Sequence, residues 1–389
     1  MATASGSSTG ASCRPTPRPR ARSASRTGCR SREPAMNGEP GEHPGVNPGV
    51  NRYARDPFSF HGRVEMRPFA SEALAENALG DPHVREVPVY LPPDAGAGGE
   101  RLPVVFLLSG FTGRGHALLE THPWKTCVVR DYDRGVERGD LPRAILVLPD
   151  CFTRLGGSQY VNSSAVGRYE DYVARELTAW VDATYPTEPG RRAVVGKSSG
   201  GFGAMHLAMR HPDTFPVAAS ISGDCHFEYC YGTEFLAALR GLRNHDFDPA
   251  KFLAAFAESH DLGGDGHAVL NLLAMSACYS PNPDSPLGFD LPIDLETGER
   301  VSAVWERWLE FDPVVACERY AAELSRLELL YLEAGLADEF HLQFALRILA
   351  RRLTELGIPH EHVEHERGHF DISDRYLTVL PKLVSALDR

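Results

Sequence analysis

Along this chain, apolar residues gather in short runs that alternate with longer stretches where they recur every third or fourth position. The runs are Val87–Leu91, Pro103–Leu108, Ala144–Leu148, Arg192–Val195, Val217–Ile221, Leu327–Leu332 and His360–Val363. Most are rich in Val, Ile and Leu without strict alternation, the texture of strands buried on both faces of a sheet. Arg168–Tyr185 follows the helical period instead, with Tyr172, Val173, Leu177 and Val181 on one stripe. Phe202–Arg210, Glu339–Leu356 and Ser373–Leu387 read as further helices, the last with a kink expected at Pro381. Short strands alternating with helices predict an α/β fold, a mostly parallel sheet flanked by helices on both faces.

Two regions break the rhythm. Residues 1–50 are rich in Ser, Gly, Pro and Arg, with a near-tandem HPGVNPGV ending at Val50, and bury too little apolar surface to fold. Their first 35 residues carry seven arginines against one acid, Glu33, which superficially suggests a transit peptide. Pro15, Pro17 and Pro19 would break an amphipathic helix there, so the preferred reading is an unstructured tail, or a start placed upstream of Met36. The folded domain is then expected over residues 51–389. The second region, 224–326, holds the helical stretches Thr233–Leu242, Pro249–Glu258, Ala268–Ala277 and Val304–Leu309, interrupted by a Pro-, Gly- and Asp-rich piece, Tyr279–Thr297. An insertion this long is rarely a plain loop, and before the penultimate strand it is expected to form a helical cap.

Composition narrows the function classes. Of the 389 residues 42% are hydrophobic, ample for a core, and the formal charge is −12. Beyond residue 35 the balance is 33 basic against 51 acidic residues. A body so acidic repels nucleic acid and anionic membrane, and favours a small uncharged or cationic partner. No stretch approaches the roughly 18 apolar residues of a membrane span, and the N-terminus lacks an apolar signal region. The eight cysteines form no CxxC pair and read as reduced thiols, so the expected compartment is the cytoplasm. The oligomeric state is left open, a homodimer included.

The chemistry concentrates in Gly196-Lys-Ser-Ser-Gly200, a G-x-S-x-G pattern with an apolar strand running into it and a Gly/Ala-rich helix leaving it. That context predicts a nucleophile elbow with the Ser198 hydroxyl projecting above the sheet. Ser199 is the weaker alternative as nucleophile, because it is off-centre. A P-loop reading from Gly190 fails twice: five residues separate the glycines instead of four, and the strand lies between them. With the order serine, acid, histidine, the base should follow the last strand, which selects His369 over His362 and His365. The acid should follow the preceding strand, where Asp338 is preferred. Glu333 lies still within the strand end, and Glu339 is expected to start a helix. Backbone N–H groups of Phe111, in the loop Leu107–Gly115, and of Ser199 are the expected oxyanion donors. Gln159, Tyr160 and Asn162 are expected at the mouth of the site. Trp305 and Trp308 are expected to pack the cap. The histidines show no HExxH pattern and no metal or other cofactor is called for.

The chain resembles the putative-esterase family, which includes S-formylglutathione hydrolases, enterochelin and feruloyl esterases, and mycolyltransferases. The resemblance rests on Leu107–Gly115, Gly157–Ser163, Gly167–Tyr172, Gly196–Gly201, Ser220–Gly223, Gly335–Glu339 and Gly368-His369, in the family's order over residues 85–389. It implies an α/β-hydrolase fold and the same roles for Ser198, Asp338, His369, Phe111 and Ser199. The chain departs from the family at Ser109-Gly110, where members usually carry His-Gly, and at Ser199, often Met. The expected activity is hydrolysis of a small-molecule carboxylic ester or thioester through an acyl-enzyme. An acyltransferase with the same triad, organellar or in the envelope if the basic tail is a targeting signal, and a non-catalytic binding protein on this fold are the alternatives.

Overall fold

The computed structural model describes residues 59–388 apart from 121 and 123. The expectations for residues 1–50 and for Met36 fall outside the described residues.

Eight strands form one sheet. In chain order they are β1 (Arg63–Ala70), β2 (Val84–Leu91), β3 (Leu102–Leu108), β4 (Ile145–Val147), β7 (Thr187–Lys197), β8 (Val217–Ile221), β9 (Leu329–Gly335) and β10 (Glu361–His365). A separate two-stranded ribbon, β5 (Asn162–Ser163) and β6 (Gly167–Arg168), lies between β4 and β7 in sequence. The sheet order is β1-β2-β4-β3-β7-β8-β9-β10. The β1–β2 and β2–β4 pairs are antiparallel, and every pair from β4 through β3 to β10 is parallel.

Successive residues of the central strands feed two different cores. Val104, Phe106 and Leu108 of β3 pack with the cap and the helix after β7, whereas Val105 and Leu107 pack on the other face. That other face is covered by Val128–Glu137 and by the last helix, Asp374–Ala386. Burial on both faces is why the runs read as continuously apolar instead of alternating. Of the eight strands of the main sheet, β1 alone is absent from the expected runs, as are the two short strands of the ribbon. β1 is an antiparallel edge strand in which Arg63, Glu65 and Arg67 meet solvent on one side, so no apolar run marks it.

The helix expected over Arg168–Tyr185 is present as Tyr169–Asp171, a π-helical turn Tyr172–Leu177, and Thr178–Thr184. Pro381 sits inside the last helix without ending it. Within 224–326 the main helices are Phe235–Leu242, Pro249–Ser259, Gly266–Tyr279, Ser302–Leu309 and Pro313–Arg319. Phe235, Val269, Tyr279 and Trp308 from these helices belong to the same apolar cluster as Phe106 and Phe202, so the insertion shares one core with the sheet. Among the described residues, no helix is long and apolar enough to cross a membrane.

Candidate active site

The predicted nucleophile lies where β7 ends and the helix Ser199–Arg210 begins, in the middle of the sheet. Ser198 has φ 58° and ψ −129°, a backbone conformation that costs a non-glycine residue on the order of 1–3 kcal/mol. The surroundings hold it there. The Ser198 N–H donates to the carbonyl of Ile221 in β8 at 3.0 Å. Gly200 closes the turn: a Cβ at that position would meet the carbonyl oxygen of Leu108 at 2.4 Å, so only glycine lets the helix approach the end of β3.

The predicted acid and base are brought together by backbone contacts between the loops after β9 and β10. Leu336 N–H donates to the His365 carbonyl at 2.7 Å, and Ala337 N–H to that of Arg367 at 3.2 Å. Gly335 makes this approach possible, since a Cβ there would stand 2.0 Å from the Arg367 carbonyl oxygen. Asp338 Oδ2 then pairs with His369 Nδ1 at 2.9 Å, with both residues 2–3% exposed. Burial would raise the Asp338 carboxyl, but the hydrogen bond and charge of His369 outweigh it and hold the group below its ordinary value. The His369 ring is packed edge-on by Phe340 and Phe370, with centroids at 4.7 and 5.3 Å.

Ser198 and His369 line one cavity of about 390 Å³ at the C-terminal ends of the parallel strands. Ser198 Oγ makes no side-chain hydrogen bond among the described residues, so the two groups share the space without being joined. Phe111 and Ser199 also line it, and neither of their N–H groups is donated to another described residue. The cap closes the opposite wall with Cys230, Tyr231, Glu234, His267 and Asn271. His267 stacks edge-on against Phe111 at 5.7 Å, which ties the cap to the predicted oxyanion loop.

Other expected residues fall elsewhere. Gln159 is buried behind the cavity wall, where its Nε2 donates to Tyr231 Oη, Tyr279 Oη and Asp224 Oδ2 at 2.9, 3.0 and 3.2 Å. Tyr160 is buried too and donates to the Ser109 carbonyl at 2.6 Å, which braces the predicted oxyanion loop from behind. Asn162 is exposed on the ribbon, and its Oδ1 accepts the Asp171 N–H at 3.2 Å. None of the three is at the mouth, because the turn at Gln159 and Tyr160, both with positive φ, folds inward under the elbow helix. Glu333 is fully buried and taken up by a two-pronged pair with Arg375 at 2.7 Å on each prong. Glu339 does not start a helix; the helix begins at Leu342, and Glu339 Oε2 accepts the His369 N–H at 2.7 Å. Trp305 and Trp308 pack within the cap, with their indole N–H groups given to Glu228 and Ser280.

Three residues of the site were not anticipated as such. Glu339 anchors the base loop. Asp224, directly after the Ser220–Gly223 segment, lines the cavity and accepts the Ser199 hydroxyl at 3.0 Å, and burial raises its carboxyl. Lys197, the variable residue of the elbow, points into the cavity beside the Phe370 ring, and burial depresses its ammonium.

Comparison with known proteins places this geometry. The model of a family described as "Putative esterase" matches residues 81–375. The MPT51 antigen of Mycobacterium leprae is 30% identical over 182 residues, 46% of this chain and 52% of that protein. Mouse S-formylglutathione hydrolase is 26% identical over 164 residues, 36% of this chain and 52% of that protein. The MPT51/MPB51 antigen of Mycobacterium bovis is 41% identical over 68 residues, 23% of its length. The chain thus spans about half or less of the curated relatives it matches. Among solved structures, a ferulic acid esterase superposes over 85% of this chain and all of its own, with a TM-score of 0.52 and 19% identity. An S-formylglutathione hydrolase from Agrobacterium tumefaciens matches 85% of this chain and 96% of its own, with a TM-score of 0.51 and 19% identity. These are α/β-hydrolase folds, and so is this one.

Proposed function

Because this chain belongs to the Putative esterase family, we propose that it is a serine hydrolase cleaving a carboxylic ester or thioester of a small molecule. The observation that carries the reading is the buried Asp338–His369 pair facing the cavity that also holds Ser198. In this reading Ser198 Oγ attacks the substrate carbonyl while its proton passes to His369 Nε2. Asp338 accepts from Nδ1 and stabilises the resulting imidazolium. The negative charge on the carbonyl oxygen falls to the free N–H groups of Phe111, in the loop after β3, and of Ser199, at the start of the elbow helix. Collapse of the tetrahedral adduct breaks the bond to the alcohol or thiol, which leaves with the proton from His369. Water, activated by the same imidazole, then hydrolyses the acyl-enzyme. Substrate binding must first bring the Ser198 hydroxyl onto His369, since hydrogen bonds of this kind are often loose before substrate is present.

The relatives support an ester or thioester class, and the six described cysteines, all buried and unpaired, support a reducing compartment such as the cytoplasm. A panel of p-nitrophenyl esters and acyl thioesters tests the activity. Turnover of at least one member should vanish in Ser198→Ala and persist in Ser199→Ala. Turnover that survives in Ser198→Ala would overturn the assignment. Cell fractionation with antibody detection tests the compartment, and recovery of the protein outside the cytosol would reject it.

A further inference from the structure

A second, larger space of about 1,040 Å³ adjoins the candidate active site and meets it at Thr112, which lines both. Thr112 follows the predicted oxyanion donor Phe111 directly, adopts a left-handed φ of 62°, and gives its N–H to the Gly156 carbonyl at 2.8 Å. Gly156 itself lines the larger space, so this hydrogen bond fixes the partition between the two.

The two walls differ in what they offer a ligand. The cap supplies an apolar wall that includes Leu253, Phe256, Leu262, Leu270, Leu287 and Phe289. The facing wall carries charges, but their side chains are already engaged with one another or, at Glu86, with a histidine ring. Asp150 takes Arg114 at 2.8 Å and Arg85 at 3.8 Å, Asp81 takes Arg154 at 3.4 Å, and the Glu86 carboxylate is hydrogen-bonded to the His116 ring at 2.8 Å. A ligand charge placed there would have to compete with an existing ion pair or hydrogen bond, whereas an apolar ligand need only cover the apolar side chains of the cap and shed water.

We infer that this groove holds an extended uncharged apolar portion of the ester, on the acyl or the alcohol side of the scissile bond. The inference rests on the ester-hydrolase reading and names its substrate class: esters with a long apolar chain, rather than acetates of small polar alcohols. Ala254 and Ala257, one helical turn apart and both exposed, line the groove, while Ala255 of the same helix does not.

Two ester series separate the two sides: p-nitrophenyl acetate, hexanoate and decanoate for the acyl side, and ethyl, hexyl and decyl acetate for the alcohol side. In the wild-type protein kcat/KM should rise roughly tenfold or more along one series, as burial of several methylenes requires. Ala254→Trp and Ala257→Trp should remove most of that rise while leaving the shortest ester within about twofold, and Ala255→Trp should keep it. No length dependence in either series, or a dependence that survives both groove variants, would overturn the inference while leaving the hydrolase reading intact. A readout independent of turnover is the binding of N-phenyl-1-naphthylamine, an uncharged apolar fluorophore. It should bind wild type and Ser198→Ala alike and bind the two groove variants roughly tenfold more weakly, and equal binding to all four would reject the groove. If no ester is turned over while dye binding depends on the groove, the groove's apolar binding stands, and the hydrolase reading falls together with the assignment of an ester to the groove.

Discussion

Replacing Asp338 with asparagine separates the proposed catalytic pair from a merely structural one. In the native arrangement a carboxylate oxygen lies 2.9 Å from His369 Nδ1 in a setting almost closed to water. An amide of the same shape can present its N–H to that nitrogen, which favours the tautomer that cannot accept the serine proton, and it provides no charge to stabilise the imidazolium. The expected loss in kcat/KM is about 10³–10⁴, or roughly 4–5.5 kcal/mol of transition-state stabilisation. The fold should persist, because the His369 loop is also held by the Glu339 carboxylate and by the backbone bonds from Leu336 and Ala337. Stability should carry a pH signature. Since the Asp338 carboxyl titrates below its ordinary value in the folded protein, its pairing contributes stability above an unfolded pKa of about 4. That contribution fades as pH falls through the lower folded value, so the gap between wild type and Asp338→Asn in urea denaturation should narrow with acidification. Steady-state kinetics on the best ester of the panel, with circular dichroism on the same samples, decides the matter. A folded Asp338→Asn enzyme keeping more than about a tenth of wild-type activity would refute the assignment. The matched control is Glu333→Gln, which breaks the pair with Arg375 and should cost stability more than turnover per folded molecule.

Gly200→Ala should yield a protein that folds poorly or lacks activity, because its Cβ would stand 2.4 Å from a backbone oxygen of β3; soluble yield and ester turnover report both. Glu339→Gln trades a charge-assisted hydrogen bond to the His369 N–H for a neutral one and should lower kcat about tenfold with little change in melting temperature. Glu170, buried among His206, His211 and Arg210 at 3.0, 2.8 and 2.9 Å, should tolerate glutamine badly; the expected loss is about 2–3 kcal/mol in urea unfolding at neutral pH, with catalysis per folded molecule preserved.

The parallel half of the sheet was legible because its strands are buried on both faces, so Pro103–Leu108 stands out as an unbroken apolar run and Val217–Ile221 as one interrupted only by Ser220. The β1 edge was not, since that strand carries charge on its open side. The elbow was legible because strand, glycine turn and helix are contiguous in sequence, and contiguity is what a motif records. Asp338 and His369 were reached through chain order, and the structure pairs them. The expectation for Gln159, Tyr160 and Asn162 took a polar loop to be a surface loop. Two successive positive-φ residues instead turn Gln159 and Tyr160 into the interior, a fold that composition does not encode. The part played by Glu339 was missed for a related reason: an acid close before a helical pattern reads as a helix-dipole residue, and its bond to His369 spans 30 positions of sequence. The cap residues around the cavity come from an insertion whose helices are visible as periodicity, while the face they turn to Ser198 depends on packing across the whole domain.

The central claim is that Ser198 is a nucleophile activated by the Asp338–His369 pair. Its most direct measurement is covalent labelling with a fluorophosphonate followed by mass spectrometry of the digested protein. A single adduct on the peptide bearing Ser198, formed by wild type and by Ser199→Ala but slowed by orders of magnitude in Asp338→Asn, is the predicted result. No adduct on folded wild-type protein, or one placed on another serine, would contradict the account.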